Sequence, residues 1–277
     1  MADRNGYFTV SEPAPGYLRA TIANPPINVF NMGMFDALEA FIDMLENRDD
    51  IKVVVFDSAD PEFFIAHFDL LGDTSAITDK RPNGLYPWPD LTTRIAELPV
   101  LTIAAIRGRA RGVGCEFAMS LDIRFASREK AVLQQLELAL GLVPGGGAME
   151  RLPRLVGRSR ALEVVLGAEE IRADRAELYG LVNRSIPDAE FEATVDTFAR
   201  RVASFDRPVL ALAKRTINEQ AGLADPHDLG EGQTRFLATT QFAQTQQRVG
   251  QWAADGLQQR GELELSMGDY IAGQVRK

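Results

Sequence analysis

Two glutamates sit in stretches that otherwise avoid charge: Glu116 within VGCEFAMSL and Glu137 within QLELALGLVP. Burying a carboxylate without a partner is costly, and the usual relief is a raised pKa that leaves the group neutral. A carboxyl shifted in this way can give or take a proton near neutrality. The competing reading is structural: each glutamate pairs with Arg109, Arg111 or Arg124, or faces solvent. Close by, Gly108, Gly112 and Gly114 are spread over GRARGVG between a predicted strand and a predicted helix. Glycines there let backbone approach a ligand, and a helix start offers free N–H groups to negative charge developing on a carbonyl oxygen. A tight strand-to-helix turn would need the same glycines. The third candidate is His67, one of only two histidines, where the apolar run FFIA gives out into HFDL. The other, His227 in a DPHD turn, reads as surface.

Other chemistries are less well supported. Two distant histidines and one cysteine give no thiol/imidazole spacing for a metal. No G-x-S-x-G and no P-loop lysine are present. The PGGG run at 144–147 breaks the chain before the helix AMERLPRLV, or forms a phosphate nest without a fixed cation beside it.

The elements that must position these residues alternate. YFTV (7–10) and YLRATI (17–22) read as a strand pair. In MGMFDALEAFIDMLENR, Met34, Phe35, Leu38, Phe41, Ile42 and Leu45 form one apolar helix face. Strand IKVVVF (51–56), helix LTTRIAEL (91–98), strand VLTIAAI (100–106), helix GVGCEFAMSL (112–121) and strand DIRFAS (122–127) follow. That order predicts parallel strands joined by right-handed crossovers. Beyond about residue 147 the pattern is helical, and 228–260 predicts one long polar helical stretch with Phe236, Leu237, Phe242, Val249, Trp252 and Leu257 loosely spaced on it.

The chain has 277 residues, a net charge of −9 and a single cysteine, Cys115. The charge, with no basic cluster to offset it, argues against nucleic acid as partner. One cysteine excludes an internal disulfide and suits a reducing compartment. The first residues do not read as a secretory signal and no apolar run approaches a membrane span, so a cytoplasmic protein without membrane contact is expected.

In this order the segments resemble the enoyl-CoA hydratase/isomerase (crotonase) superfamily over roughly residues 15–220. NPPINVFNMGMFDAL is similar to the family's entry to its first long helix, and IKVVVFDSADPEFFIAHFDL to its strand and loop ending Phe-x-Ala-Gly-x-Asp-Leu. IAAIRGRARGVGCEFAMSLDIRFAS resembles the Gly-Gly-Gly-x-Glu segment, LELALGLVPGGGAMERLPRLVG the Glu-x-x-x-Gly-x-x-Pro-Gly segment, and ADRAELYGLVNRSIP the Gly-Leu-Val stretch. The resemblance implies an α/β fold, a crotonase-like spiral of ββα units (1–200) followed by a C-terminal helical oligomerisation region (201–277). It further implies homotrimers or dimers of trimers, acyl-CoA as small-molecule substrate, and no cofactor beyond the coenzyme A of that substrate. By motif position the backbone N–H groups of Phe68 and Val113 would form an oxyanion hole. Glu116 and Glu137 would add water across, or remove it from, the C2=C3 bond. Ala66, His67, Asp69, Leu70 and Gly112 would border the substrate.

The chain departs from the family pattern at the site. His67 replaces a usual Gly, Phe68 a common Ala, Val113 interrupts the glycine triplet, and Leu136 stands where Pro often precedes the second glutamate. His67 is expected as pocket wall or packing rather than as an extra acid or base, because two glutamates suffice. The altered loop leaves a second function open, C–C hydrolysis or double-bond isomerisation on a carbonyl substrate without CoA, since Lys80, Arg81 and Arg94 make no obvious phosphate cluster. A third is a non-catalytic assembly protein. The tail from 228 is expected to cross a subunit boundary.

Overall fold

A computed structural model describes residues 6–275. The chain enters as a hairpin, β1 (Phe8–Ala14) against β2 (Tyr17–Ile22). From β2 onward the sheet is parallel: β3 (Val53–Ser58), β5 (Leu101–Ile106), β7 (Ile123–Ser127) and β10 (Arg184–Ile186) add in the order β1-β2-β3-β5-β7-β10. Val53, Val54, Val55 and Phe56 are all buried, as a strand covered on both faces requires. A second sheet, order β4-β6-β8-β9, is built from strands of two or three residues: β4 (Phe63–Ile65), β6 (Arg109–Arg111), β8 (Val132–Gln134) and β9 (Ile171–Arg172).

The two sheets alternate along the chain. β3 passes to β4 and then α2 (Pro87–Glu97), β5 to β6 and then α3 (Val113–Ser120), β7 to β8 and then α4 (Glu137–Leu140). This is the expected spiral of ββα units. The GRARGVG segment differs from its reading as a bare turn, because β6 lies within it. Helix α1 (Met32–Glu46) is capped by Asn31, whose side chain accepts from Met34 N–H at 2.9 Å. Its buried face meets the sheet at Phe41, which packs edge-on to Phe56 at 5.8 Å; Phe56 in turn packs edge-on to Phe117 of α3 at 5.3 Å. Each such buried phenylalanine contributes about 1.5–3 kcal/mol. α2 begins four residues before its predicted start, with Pro87 in its first turn where a missing N–H is harmless.

Helices α5 (Ala148–Val156), α6 (Arg158–Gly167) and α7 (Ala173–Tyr179) cap the spiral. α8 (Asp188–Ala203) lays Phe191, Val195, Ala199 and Val202 over the other face of the large sheet, while α9 (Arg207–Ala221) buries no residue. The tail is not one helix. α10 (Pro226–Thr240) and α11 (Ala243–Ala254) are separate, and Thr239 and Thr240 at the break return their hydroxyls to the carbonyls of Phe236 and Leu237, at 2.7 Å each. Side-chain bonding of this kind competes with helix continuation. Short α12 (Glu262–Leu265) and α13 (Met267–Val275) follow. Within its own chain the tail packs Trp252, Leu257, Leu263 and Met267 against Leu136, Leu140 and Leu142. Four buried apolar side chains explain why it folds back. No helix among the described residues is long and apolar enough to cross a membrane.

Candidate active site

Both glutamates open on one apolar cavity of about 690 Å³, its mouth included, between α1, α2, α3, α4 and α10. Phe30, Met32, Phe35, Ile77, Trp88, Leu140, Leu142 and Phe236 supply much of its apolar wall. Glu116 projects from the first turn of α3 and Glu137 from the start of α4. None of the three arginines considered as partners reaches them. Arg109 bonds Glu62 at 2.7 Å, Arg111 bonds Glu170 at 3.0 Å, and Arg124 donates to the carbonyls of Leu181 and Leu121 at 2.8 and 2.9 Å.

The two carboxyls are held differently. Glu116 Oε1 accepts the backbone N–H of Gly146 at 2.8 Å and of Ala148, at the start of α5, at 3.1 Å. Burial pushes its pKa up to about 7, against the pull of those two N–H groups. Glu137 has no such support at Oε2, which is buried without a hydrogen-bond partner. Burial first and the neighbouring Glu116 charge second hold its carboxyl well above the ordinary range. Two carboxylates cannot both ionise cheaply here, so the pair shares a proton near neutrality, and the two N–H bonds to Glu116 against the bare Oε2 of Glu137 favour it on Glu137. Glycine is needed at two points of this wall. A Cβ at Gly112 (φ +48°) would stand 2.8 Å from Glu137 Oε1, and one at Gly146 would run into Glu116 Oε2 and Trp88.

Phe68 and Val113 border the same space. Phe30 and Phe68 form an isolated parallel bridge in which Phe30 N–H donates to His67 O at 2.8 Å and Asp69 N–H to Phe30 O at 3.0 Å. That pattern leaves the intervening Phe68 N–H out of the ladder. Val113 is the first residue of α3, so its N–H has no carbonyl one turn earlier. Among the described residues neither N–H has a protein acceptor. The cavity wall thus joins two buried carboxyls and two residues whose N–H groups have no protein acceptor, in apolar surroundings; such an arrangement can move protons beside a carbonyl as it gains negative charge.

The profile of the enoyl-CoA hydratase/isomerase family matches residues 15–258. The chain belongs to that family. It is 33% identical over 201 residues to a short-chain-enoyl-CoA hydratase of Clostridium acetobutylicum, covering 72% of this chain and 76% of that protein. It is 32% identical to the glyoxysomal fatty acid beta-oxidation multifunctional protein MFP-a of Brassica napus, over 78% of this chain but only 30% of that much longer protein. Among solved structures, a candidate enoyl-CoA hydratase from Streptomyces avermitilis superposes with a TM-score of 0.90 at 37% identity over 96% of both chains.

Within this family member, His67, Phe68, Leu70, Gly112, Val113, Glu116 and Glu137 all border the cavity, whereas Ala66 and Asp69 do not. Ala66 packs with Ile27 and Phe63 behind the loop, and Asp69 turns back to accept from Leu71 and Gly72 N–H at 3.1 and 2.9 Å. Ala66 is drawn into its own small apolar cluster and Asp69 into the turn it closes, so adjacency in sequence overstated the lining. Trp88 and Ile77 went unrecognised because they lie in a polar, Pro-rich stretch, and Gln233 because it looks like surface. His67 is buried, and its ring nitrogens face Phe68 O and Glu264 Oε1, each at 2.8 Å. Both ring nitrogens are therefore taken up by groups of the protein itself, which fits a place in the wall rather than in the chemistry. Cys115, beside Glu116, is no nucleophile either, since burial pushes its thiol up to about 12.

Proposed function

We propose that the protein is an enoyl-CoA hydratase-like lyase that adds water to, or removes it from, the C2=C3 bond of an acyl-CoA thioester. The observation that carries this reading is the facing pair of buried glutamates with unequal hydrogen bonding, in a cavity that also presents the Phe68 and Val113 N–H groups. The thioester oxygen takes both N–H groups. Glu116, held as carboxylate by Gly146 and Ala148, removes a proton from water as the water oxygen bonds to C3. The C2=C3 electron pair moves toward the carbonyl, and the enolate oxygen draws on the two donors. Glu137 then gives its proton to C2, and the proton gained by Glu116 restores the pair to its starting count. Each donor supplies about 3–4 kcal/mol of transition-state stabilisation. Protons and water are the only other reactants the scheme needs.

The coenzyme is expected to be held lightly. Of the cations considered for its phosphates, Arg81 is committed to Glu39 and Asp90, and Arg94 to Glu39, Asp43 and Glu46; Lys80 lies over the Tyr86 ring. Isomerisation is the second reading, because the same carboxyl pair can move a proton from C4 to C2 without water. Turnover of a 2-enoyl-CoA in ¹⁸O-water separates the possibilities. Hydration puts the label on the C3 hydroxyl of the product. A shifted double bond without label identifies an isomerase, whereas a C–C hydrolase would leave the enoyl-CoA unchanged and put the label into the carboxylate released from a β-diketone offered in its place.

Cytoplasmic homotrimers, single or paired, complete the proposal. Val209, Leu212 and Ile217 on α9 are 64%, 55% and 64% exposed, bare apolar side chains on a helix with no fully buried residue. Leu212→Glu with Ile217→Glu is expected to turn a trimer, or a multiple of it, into monomers by light scattering. A monomeric wild-type protein would contradict the assembly.

A further inference from the structure

Both loops that carry the unpaired N–H groups are tied to one short stretch near the C-terminus, 258–265. Glu264 is fully buried, and its Oε1 accepts from His67 Nε2 and from Gln258 N–H, at 2.8 Å each. His67 immediately precedes Phe68. The same residue's main-chain oxygen accepts from Arg111 Nη1 at 2.8 Å, and its Oε2 lies 3.5 Å from that nitrogen. Arg111 is also fully buried and stands two residues before Val113. Gln258, at φ +65°, adds two more ties: its Oε1 accepts from Leu70 N–H at 2.9 Å and its Nε2 donates to Asp69 Oδ1 at 2.8 Å. Arg260 fastens the stretch itself, donating to Pro26 O at 2.8 Å and pairing with Asp60.

Burial alone would push the Glu264 carboxyl up, but His67, the Gln258 N–H and Arg111 outweigh it and hold the group below its ordinary range. A buried ionic network of this kind adds little net stability over apolar packing, and its attested use is to fix one arrangement among several. Here the arrangement fixed is the spacing of two donors on the loops that leave the neighbouring parallel strands β4 and β6, separated by more than forty residues in sequence. The His67 imidazole fills the gap that the usual glycine would leave between loop and tail, which gives that departure a use.

We infer that Glu264 is a positioning residue for the oxyanion hole: through His67 and Arg111 it sets the distance between the Phe68 and Val113 N–H groups, with Gln258 locking the loop beyond. The inference rests on the hydratase reading. A role confined to the donors affects the transition state more than substrate binding, and a displacement of about 1 Å costs on the order of 100-fold. Glu264→Gln, which keeps the shape and removes the charge, is therefore expected to lower kcat about 10–100-fold with KM held within about 3-fold.

The deciding measurement is the absorption of bound 4-dimethylaminocinnamoyl-CoA, whose conjugated carbonyl shifts to the red when hydrogen bonds polarise it. Wild-type protein should give the full red shift, Glu264→Gln less than half of it, and Gln258→Ala an intermediate value. Should Glu264→Gln fail to fold, Gln258→Ala carries the test alone. A full red shift and unchanged kcat in the variants, or a rise in KM at constant kcat, would overturn the positioning role while leaving hydration intact. A wild-type protein that neither shifts the probe nor hydrates enoyl-CoA would overturn the hydratase reading itself.

Discussion

Glu137→Gln is expected to lower kcat for hydration of a short 2-enoyl-CoA by about 10²–10⁴-fold, the usual contribution of one positioned acid. Glutamine matches the shape but has no proton to give, and Oε2 makes no hydrogen bond that the change would break. The same variant should be more stable than the wild type at pH 8. The sign follows from the raised pKa. Below the unfolded value of 4.5 the side chain is protonated in both states and costs nothing. As pH rises, the unfolded chain ionises freely while the buried group resists, so native stability declines until the folded pKa is passed. Glutamine never ionises and escapes that decline. For Glu116, moved from 4.5 to about 7, the corresponding gain is about 3 kcal/mol. Calorimetry should therefore show a higher Tm for Glu137→Gln at pH 8 and none of that advantage near pH 4. Undiminished turnover would reject Glu137 as the acid.

That two glutamates were readable from sequence has a physical basis: ionisable groups amid Phe, Leu and Ala are expensive, so their presence needs a reason. The large sheet was readable for a similar reason, since Val53–Phe56 and Ile103–Ile106 are longer apolar runs than loops carry. The small sheet was not. Strands of three residues such as β6 show no period, and Arg109 and Arg111 look solvated although Arg111 is wholly buried. The same disguise hid Glu264, which sits in the acid-rich GELELS and lies 197 positions along the chain from His67. The Pro-rich stretch before Asp90 concealed Trp88, because two prolines read as a break when one of them starts a helix. The tail's division into separate helices escaped because Phe236, Trp252 and Leu257 are too loosely spaced to mark where one helix ends.

The gripping of the carbonyl can be tested at a single atom. Val113 occupies the first position of α3, where proline is tolerated and no backbone hydrogen bond is lost, and the preceding Gly112 has no Cβ to meet the new ring. Val113→Pro therefore removes one donor and little else, with Val113→Ala as the control for lost side-chain packing. The loss expected from one oxyanion donor is about 10²–10³ in kcat. The decisive quantity is the ratio of kcat between these two variants, measured on the same enoyl-CoA with both shown to be folded. Two main-chain donors acting on one thioester oxygen require the proline variant to be slower by about that factor. Equal rates would mean that the Val113 N–H does not touch the developing charge.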